Sequence, residues 1–141
     1  MNHLKEFIDY GILGFLGFMS FVSVWFFIER LLFYRSVDVN RYAKKEELEI
    51  AVTNYLSLIA TIASSAPYIG LLGTVLGIML TFYTMGQHGI ANTQQIMIGL
   101  ALALKATAMG LVVAIPATMM YNYLTRKAEV LLARWDIVHE A

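Results

Sequence analysis

Thr74 and Thr107 lie in otherwise apolar sequence, and each stands a dozen residues from a polar stretch at 86–95 (GQHGIANTQQ). If that stretch turns an antiparallel helical hairpin, both hydroxyls reach one depth, roughly 18 Å from the turn at about 1.5 Å per residue. Two hydroxyls at one depth can line a polar path. Each can equally well bond the carbonyl one turn back, as helix threonines commonly do. Spacing leaves both readings open.

Small residues accompany the two threonines at offsets of three and four. Gly70, Gly73 and Gly77 run with Thr81 and Thr84 on one segment, and Gly99, Ala103, Ala106 and Gly110 run with Ala114, Ala117 and Thr118 on the other. Such stripes occupy one face of a helix. In lipid they let two backbones approach closely, because packing rather than hydrophobicity holds the helices together. Gly70, Gly73, Gly77, Gly99, Gly110 and Pro116 are therefore assigned to helix packing.

Lys105 is the exception, a charge within the third apolar segment. An intramembrane lysine costs roughly 2.5–3.5 kcal/mol on insertion scales and marks a functional site by default. It lies about 14 Å below the segment's outer end and about 200° around the helix from Thr107. With no acid expected in the chain's own spans at that depth, a partner subunit, water or lipid would have to satisfy it.

Other chemistry is excluded by what is missing. The chain has no cysteine, and His3, His88 and His139 are widely separated. There is then no thiolate, no disulfide and no metal-ligand spacing. The spans offer no nucleophile–base pair, which argues against an enzyme and against any cofactor. A net charge of zero and a pI near 6.8 leave no footprint for nucleic acid.

The elements that must position these residues are membrane spans. Hydrophobic residues make up 59% of the chain and charged residues 14%, with mean hydropathy +0.65, against roughly 25% charged in soluble domains. Residues 10–28 (YGILGFLGFMSFVSVWFFI) carry no charge, enough to cross about 30 Å of hydrocarbon. Glu6 and Asp9 precede this run and no small-residue cleavage site follows it, so it is expected to stay rather than be removed as a signal peptide.

From Ile50 to Leu104 there is again no charge, too long for one crossing. The expected organisation is one membrane domain over 1–141. It has a first span over about 10–30, a connection with an amphipathic helix over about 31–66, and a second span over about 67–86. A turn at 87–95, a third span over about 96–124 and a tail at 125–141 follow. Within 50–66, apolar Val52, Tyr55, Leu56, Ile59, Ile62 and Ala63 follow helical spacing. Pro67 either starts the second span or kinks a longer helix.

Arg30, Arg35, Arg41, Lys44 and Lys45 follow the first span, and Arg126, Lys127 and Arg134 follow the third. The positive-inside rule makes that face cytoplasmic, with the N-terminus outside.

Two stretches together resemble the signature hairpin of the ExbB/TolQ/MotA family of bacterial proton-channel subunits, most closely its ExbB and TolQ branches. They are residues 64–82 (SSAPYIGLLGTVLGIMLTF) and 101–124 (ALALKATAMGLVVAIPATMMYNYL), and the interval 64–124 that holds them is nearly half the chain. FFIERLLFY at the end of the first span is similar to the same family.

The resemblance implies an all-α integral membrane protein of the Gram-negative inner membrane. Its N-terminus would be periplasmic, its C-terminus cytoplasmic, and its second and third helices would form the pore-side hairpin. It implies a homopentamer around an ExbD-like single-span partner whose membrane aspartate carries protons, and a TonB-like protein driven to open outer-membrane importers. Thr74 and Thr107 match the family's pore-facing threonines. The alternatives are a TolQ-like role in the envelope and, from another class, a membrane scaffold without an ion path.

Two departures stand out. The family's usual glutamate in G-I-A-E-A-L is Leu102 here, and Lys105 follows on the same face. The stretch 36–49 between the first two spans is also short, so this is a minimal version of the family.

Overall fold

The computed structural model describes residues 2–88 and 93–140. Helix α1 spans Asn2–Ser36, and a single 3-10 turn, Val39–Arg41, leads to α2 at Lys45–Thr53. Helix α3 spans Leu56–His88 and α4 spans Thr93–His139. Among the described residues all regular structure is helical, and α1, α3 and α4 each contain a stretch long and apolar enough to cross a membrane. The 47 residues of α4 extend about 70 Å at about 1.5 Å per residue, more than twice the hydrocarbon thickness. This helix therefore projects well beyond the bilayer at the end that carries α2.

Several boundaries differ from the sequence reading. The expected helix through 50–66 is divided. Helix α2 ends at Thr53 and α3 begins at Leu56, with Tyr55 between them at φ 68°. A left-handed conformation at a bulky residue is strained, and neighbours hold it: Phe26 stacks on the Tyr55 ring at 4.6 Å and the Arg30 guanidinium lies 5.2 Å from its centroid. Pro67 falls inside α3, the second of the two placements expected for it. Gln87 and His88 close α3, and 93–95 open α4. The rest of the expected turn, residues 89–92, lies outside the described residues. The expected tail is the continuation of α4.

Two cores follow from these elements. In the first, Leu16 and Met19 of α1 meet Ile62 and Ala66 of α3 and Val113, Ala114 and Ala117 of α4. In the second, Leu48 and Val52 of α2 meet Leu56 and Ile59 of α3 and Leu124, Ala128 and Leu131 of α4. The positions 124, 128 and 131 repeat at helical spacing, which keeps α4 helical where its sequence turns charged. The Trp135 indole N–H donates to the Tyr42 carbonyl at 2.9 Å, and Lys45 pairs with Asp136 at 2.8 Å. The connection between α1 and α2 is thereby tied to α4. The Asp136 carboxylate, accepting that hydrogen bond, holds the Lys45 ammonium above its usual pKa.

Arg30 organises the corner. It is 3% exposed, forks onto Glu29 at 2.5 and 2.7 Å, and donates to the Ala51 carbonyl at 2.7 Å. The Tyr34 hydroxyl donates to the Val52 carbonyl. Helix α2 ends one residue later, so its orphan C-terminal carbonyls are met by donors from α1, one of them cationic. Sequence reasoning assigned Arg30 only to orientation, and its buried structural role went unseen.

An Arg30→Met variant should lose roughly 1.5–3 kcal/mol, the range for hydrogen bonds to charged groups. Arg30→Lys should recover less than half of this, because an ammonium lacks the planar fork. Thermal unfolding in detergent reads both.

Candidate functional site

The seam between α3 and α4 is a backbone contact. A methyl group added at Gly70 would stand 2.5 Å from the Ala106 carbonyl oxygen and 3.0 Å from the Gly110 Cα. One added at Gly110 would stand 2.7 Å from the Ala66 carbonyl oxygen. Further along, Gly77 faces the Ala103 methyl, Gly99 receives the Thr81 side chain, and Gly73 faces both Ala106 and Ile12 of α1. All five glycines are buried. Pro116 stands exposed inside α4, away from this contact.

Close approach at the glycines brings Thr74 and Thr107 together. Thr74 is 5% exposed, and Thr107 is half-buried at the edge of the seam. Their hydroxyl oxygens are hydrogen-bonded to each other. The Thr74 oxygen also lies 2.9 Å from the Ala103 carbonyl across the seam and 3.3 Å from the Gly70 carbonyl one turn back. A hydroxyl has one hydrogen to give. When Thr74 gives its hydrogen to Ala103, Thr107 donates to Thr74 and keeps its own lone pairs free. When Thr74 donates to Thr107 instead, the Thr107 hydrogen is free. The pair therefore presents either an acceptor or a donor at the half-buried edge. Exchange costs no backbone bond, because the α4 helix already engages the Ala103 carbonyl.

Two other threonines of the stripes, Thr81 and Thr118, bond locally. Thr81 donates to the Gly77 carbonyl and Thr118 to the Ala114 carbonyl. The buried Thr125 hydroxyl oxygen has no partner. Thr118 is exposed and eleven residues from Thr107, three helical turns along the same stripe.

Lys105 is exposed and joins none of the described ion pairs. The expectation that no acid lies at its depth is corrected by α1, which begins at Asn2 and so includes Glu6 and Asp9. Ile12 is level with Gly73 and Ala106. Asp9, three residues toward the N-terminus, therefore sits within about one helical turn of the Lys105 backbone in depth. Leu102, where the resembling family carries an acid, is 46% exposed. Among the described residues no cluster of His, Asp or Glu could hold a metal.

The family model described as "MotA/TolQ/ExbB proton channel family" matches residues 28–137. The chain is 58% identical over 139 residues to "Biopolymer transport protein ExbB" of Aquifex aeolicus, covering 99% of this chain and 94% of that protein. It is 54% identical over 136 residues to "Putative biopolymer transport protein ExbB-like 2" of Helicobacter pylori strain 26695, covering 96% and 91%. Similarity to "Tol-Pal system protein TolQ" of Haemophilus influenzae is partial, 47% over 83 residues, covering 59% of this chain and 36% of that one.

The seam geometry separates two glycine substitutions that look alike in sequence. Gly70→Ala should destabilise the protein by roughly 1–3 kcal/mol, as overpacking does. Gly14→Ala on α1, where nothing lies within 4 Å of the added methyl, should leave the melting temperature unchanged or slightly raised. Paired melts in one detergent check this.

Proposed function

From the premise that this chain belongs to the MotA/TolQ/ExbB proton channel family, we propose that it is an ExbB-like inner-membrane subunit that couples the proton motive force to TonB-dependent import. It works with an ExbD-like single-span partner, in a homopentameric ring, and acts by conduction rather than catalysis, with protons as its only small ligand. The cations after α1 and along the distal part of α4 support a cytoplasmic location for that end and a periplasmic one for the N-terminus.

The observation that carries this reading is the reversible hydroxyl pair. A membrane carboxyl on the partner must be solvated in two states. Protonated, it donates, and the Thr107 oxygen accepts. Ionised, it accepts, and the Thr107 hydroxyl donates. A pair able to invert its polarity serves both states at one place in a dry bore. The driving force is about 2.3 kcal/mol per proton per 100 mV.

A TolQ-like role in the envelope is the second reading, favoured by the partial similarity to that branch. Near-complete coverage of ExbB-named relatives supports the first more strongly.

Thr107→Ala, expressed with the partner, should lower proton flux in liposomes at least tenfold while the partner still co-purifies. Thr74→Ala should act similarly, and Thr107→Ser should retain most of the flux. Unchanged flux in both alanine variants would point to the scaffold reading. Complementation of strains lacking ExbB or TolQ separates the two branches: the import reading requires rescue of the former.

A further inference from the structure

A groove of about 710 Å³ runs between α1 and α4 at the end that carries α2. Its size is within the range of ligand clefts, roughly 300–1,000 Å³. Two helical ridges form its walls. On α1 they are Ile28, Leu31, Leu32 and Arg35, and on α4 Tyr123, Lys127, Leu131 and Arg134. The α1 set follows i, i+3, i+4, i+7 spacing and the α4 set i, i+4, i+8, i+11, so each faces the groove along its whole length. Both also change character in the same direction. Ile28 and Tyr123 lie toward the charge-free segments, and Arg35 and Arg134 lie about 10 Å and 16 Å further out at about 1.5 Å per residue.

Charge in the groove is unbalanced. Arg35, Lys127 and Arg134 line it, and no acidic residue does. Three other basic residues at this end are matched, Arg30 with Glu29, Lys45 with Asp136 and Arg126 with Glu129, while Arg41 and Lys44 join no described ion pair but lie outside the groove. None of the three lining cations joins a described ion pair, and the Lys127 ammonium has only the Tyr123 ring, at 5.6 Å. In a chain of net charge zero, three unmatched cations converging from two helices form a local excess. Orientation by the positive-inside rule needs cations at this end, but it does not need them gathered on one groove.

We propose that this groove binds an anionic diacyl phospholipid of the adjacent leaflet. The headgroup phosphate is held among Arg35, Lys127 and Arg134, and an acyl chain runs along Ile28, Leu32 and Tyr123. Three cations around a phosphate give charge-assisted bonds. Basic pockets between transmembrane helices on the cytoplasmic side are a known form of lipid recognition. The axial order, apolar within the membrane and cationic at its surface, matches the order of groups in a phospholipid. The proposal rests on the membrane embedding of α1 and α4 and not on the proton path, so either can fail alone.

The test uses the full-length protein, delipidated in mild detergent and titrated with phosphatidylglycerol or phosphatidylcholine, with bound lipid read by native mass spectrometry. The wild type should retain phosphatidylglycerol at least fivefold better than phosphatidylcholine. Arg35→Gln/Lys127→Gln/Arg134→Gln should abolish the preference. Arg41→Gln/Lys44→Gln/Arg126→Gln, which removes the same charge from the same end outside this groove, should keep it. Circular dichroism verifies that both variants remain helical. Equal retention of the two lipids, or a preference that survives in the groove variant, would overturn the proposal. So would equal losses in the two variants, or displacement of phosphatidylglycerol by millimolar inorganic phosphate, which would assign the groove to a soluble anion.

Discussion

The contact of α3 and α4 backbones at Gly70 and Gly110 is the constraint on which the rest depends. No side chain separates the helices there, and a single methyl at either position would meet a carbonyl oxygen or a Cα. In lipid, helices gain little by hiding apolar surface from each other, so the seam must be held by close packing and interhelical hydrogen bonds. Backbone contact supplies the packing. It also sets the separation at which Thr74 reaches the Ala103 carbonyl and the Thr107 hydroxyl. Widening the seam would leave two threonines bonding only within their own helices, and the reversible pair would be lost.

Around this hairpin the other elements serve as a frame. Helix α1 enters the first core through Leu16 and Met19, next to the small-residue part of the seam. At the far end Arg30 and Tyr34 hold the last carbonyls of α2, while the Tyr55 backbone makes the corner into α3. Beyond the corner, α2 covers Leu124 and Leu131 of α4. The framework thus changes from lipid packing to water-facing packing along one continuous helix. That change explains how a chain with so short a connection still anchors its hairpin.

Much of this was legible in the sequence for physical reasons. Charge-free runs mark spans because charge is costly in hydrocarbon, and glycine spacing marks a close face because helical periodicity is fixed. The equal distances of Thr74 and Thr107 from the turn likewise needed only the rise per residue. The break at Tyr55 was not legible, since no glycine or proline marks it. A tyrosine takes the left-handed conformation only because Phe26 and Arg30 grip its ring. The continuation of α4 was overlooked because charge after Tyr123 suggested a tail, although Leu124, Ala128 and Leu131 keep the helical period. The burial of Arg30 against the Ala51 carbonyl, which separates it from Arg35, depends on tertiary neighbours and has no sequence signal.

The central claim of the proposed function is that the half-buried edge carrying Thr107 faces the membrane helix of the proposed ExbD-like partner. Because the chain has no cysteine, one measurement addresses it directly. A cysteine is placed beside the membrane aspartate of the single-span partner and oxidised against Thr107→Cys or Val112→Cys in intact membranes. Val112 is 60% exposed and lies about 140° around α4 from Thr107. The account predicts a disulfide-linked heterodimer with Thr107→Cys and none with Val112→Cys. Cross-linking at Val112 with none at Thr107 would contradict it.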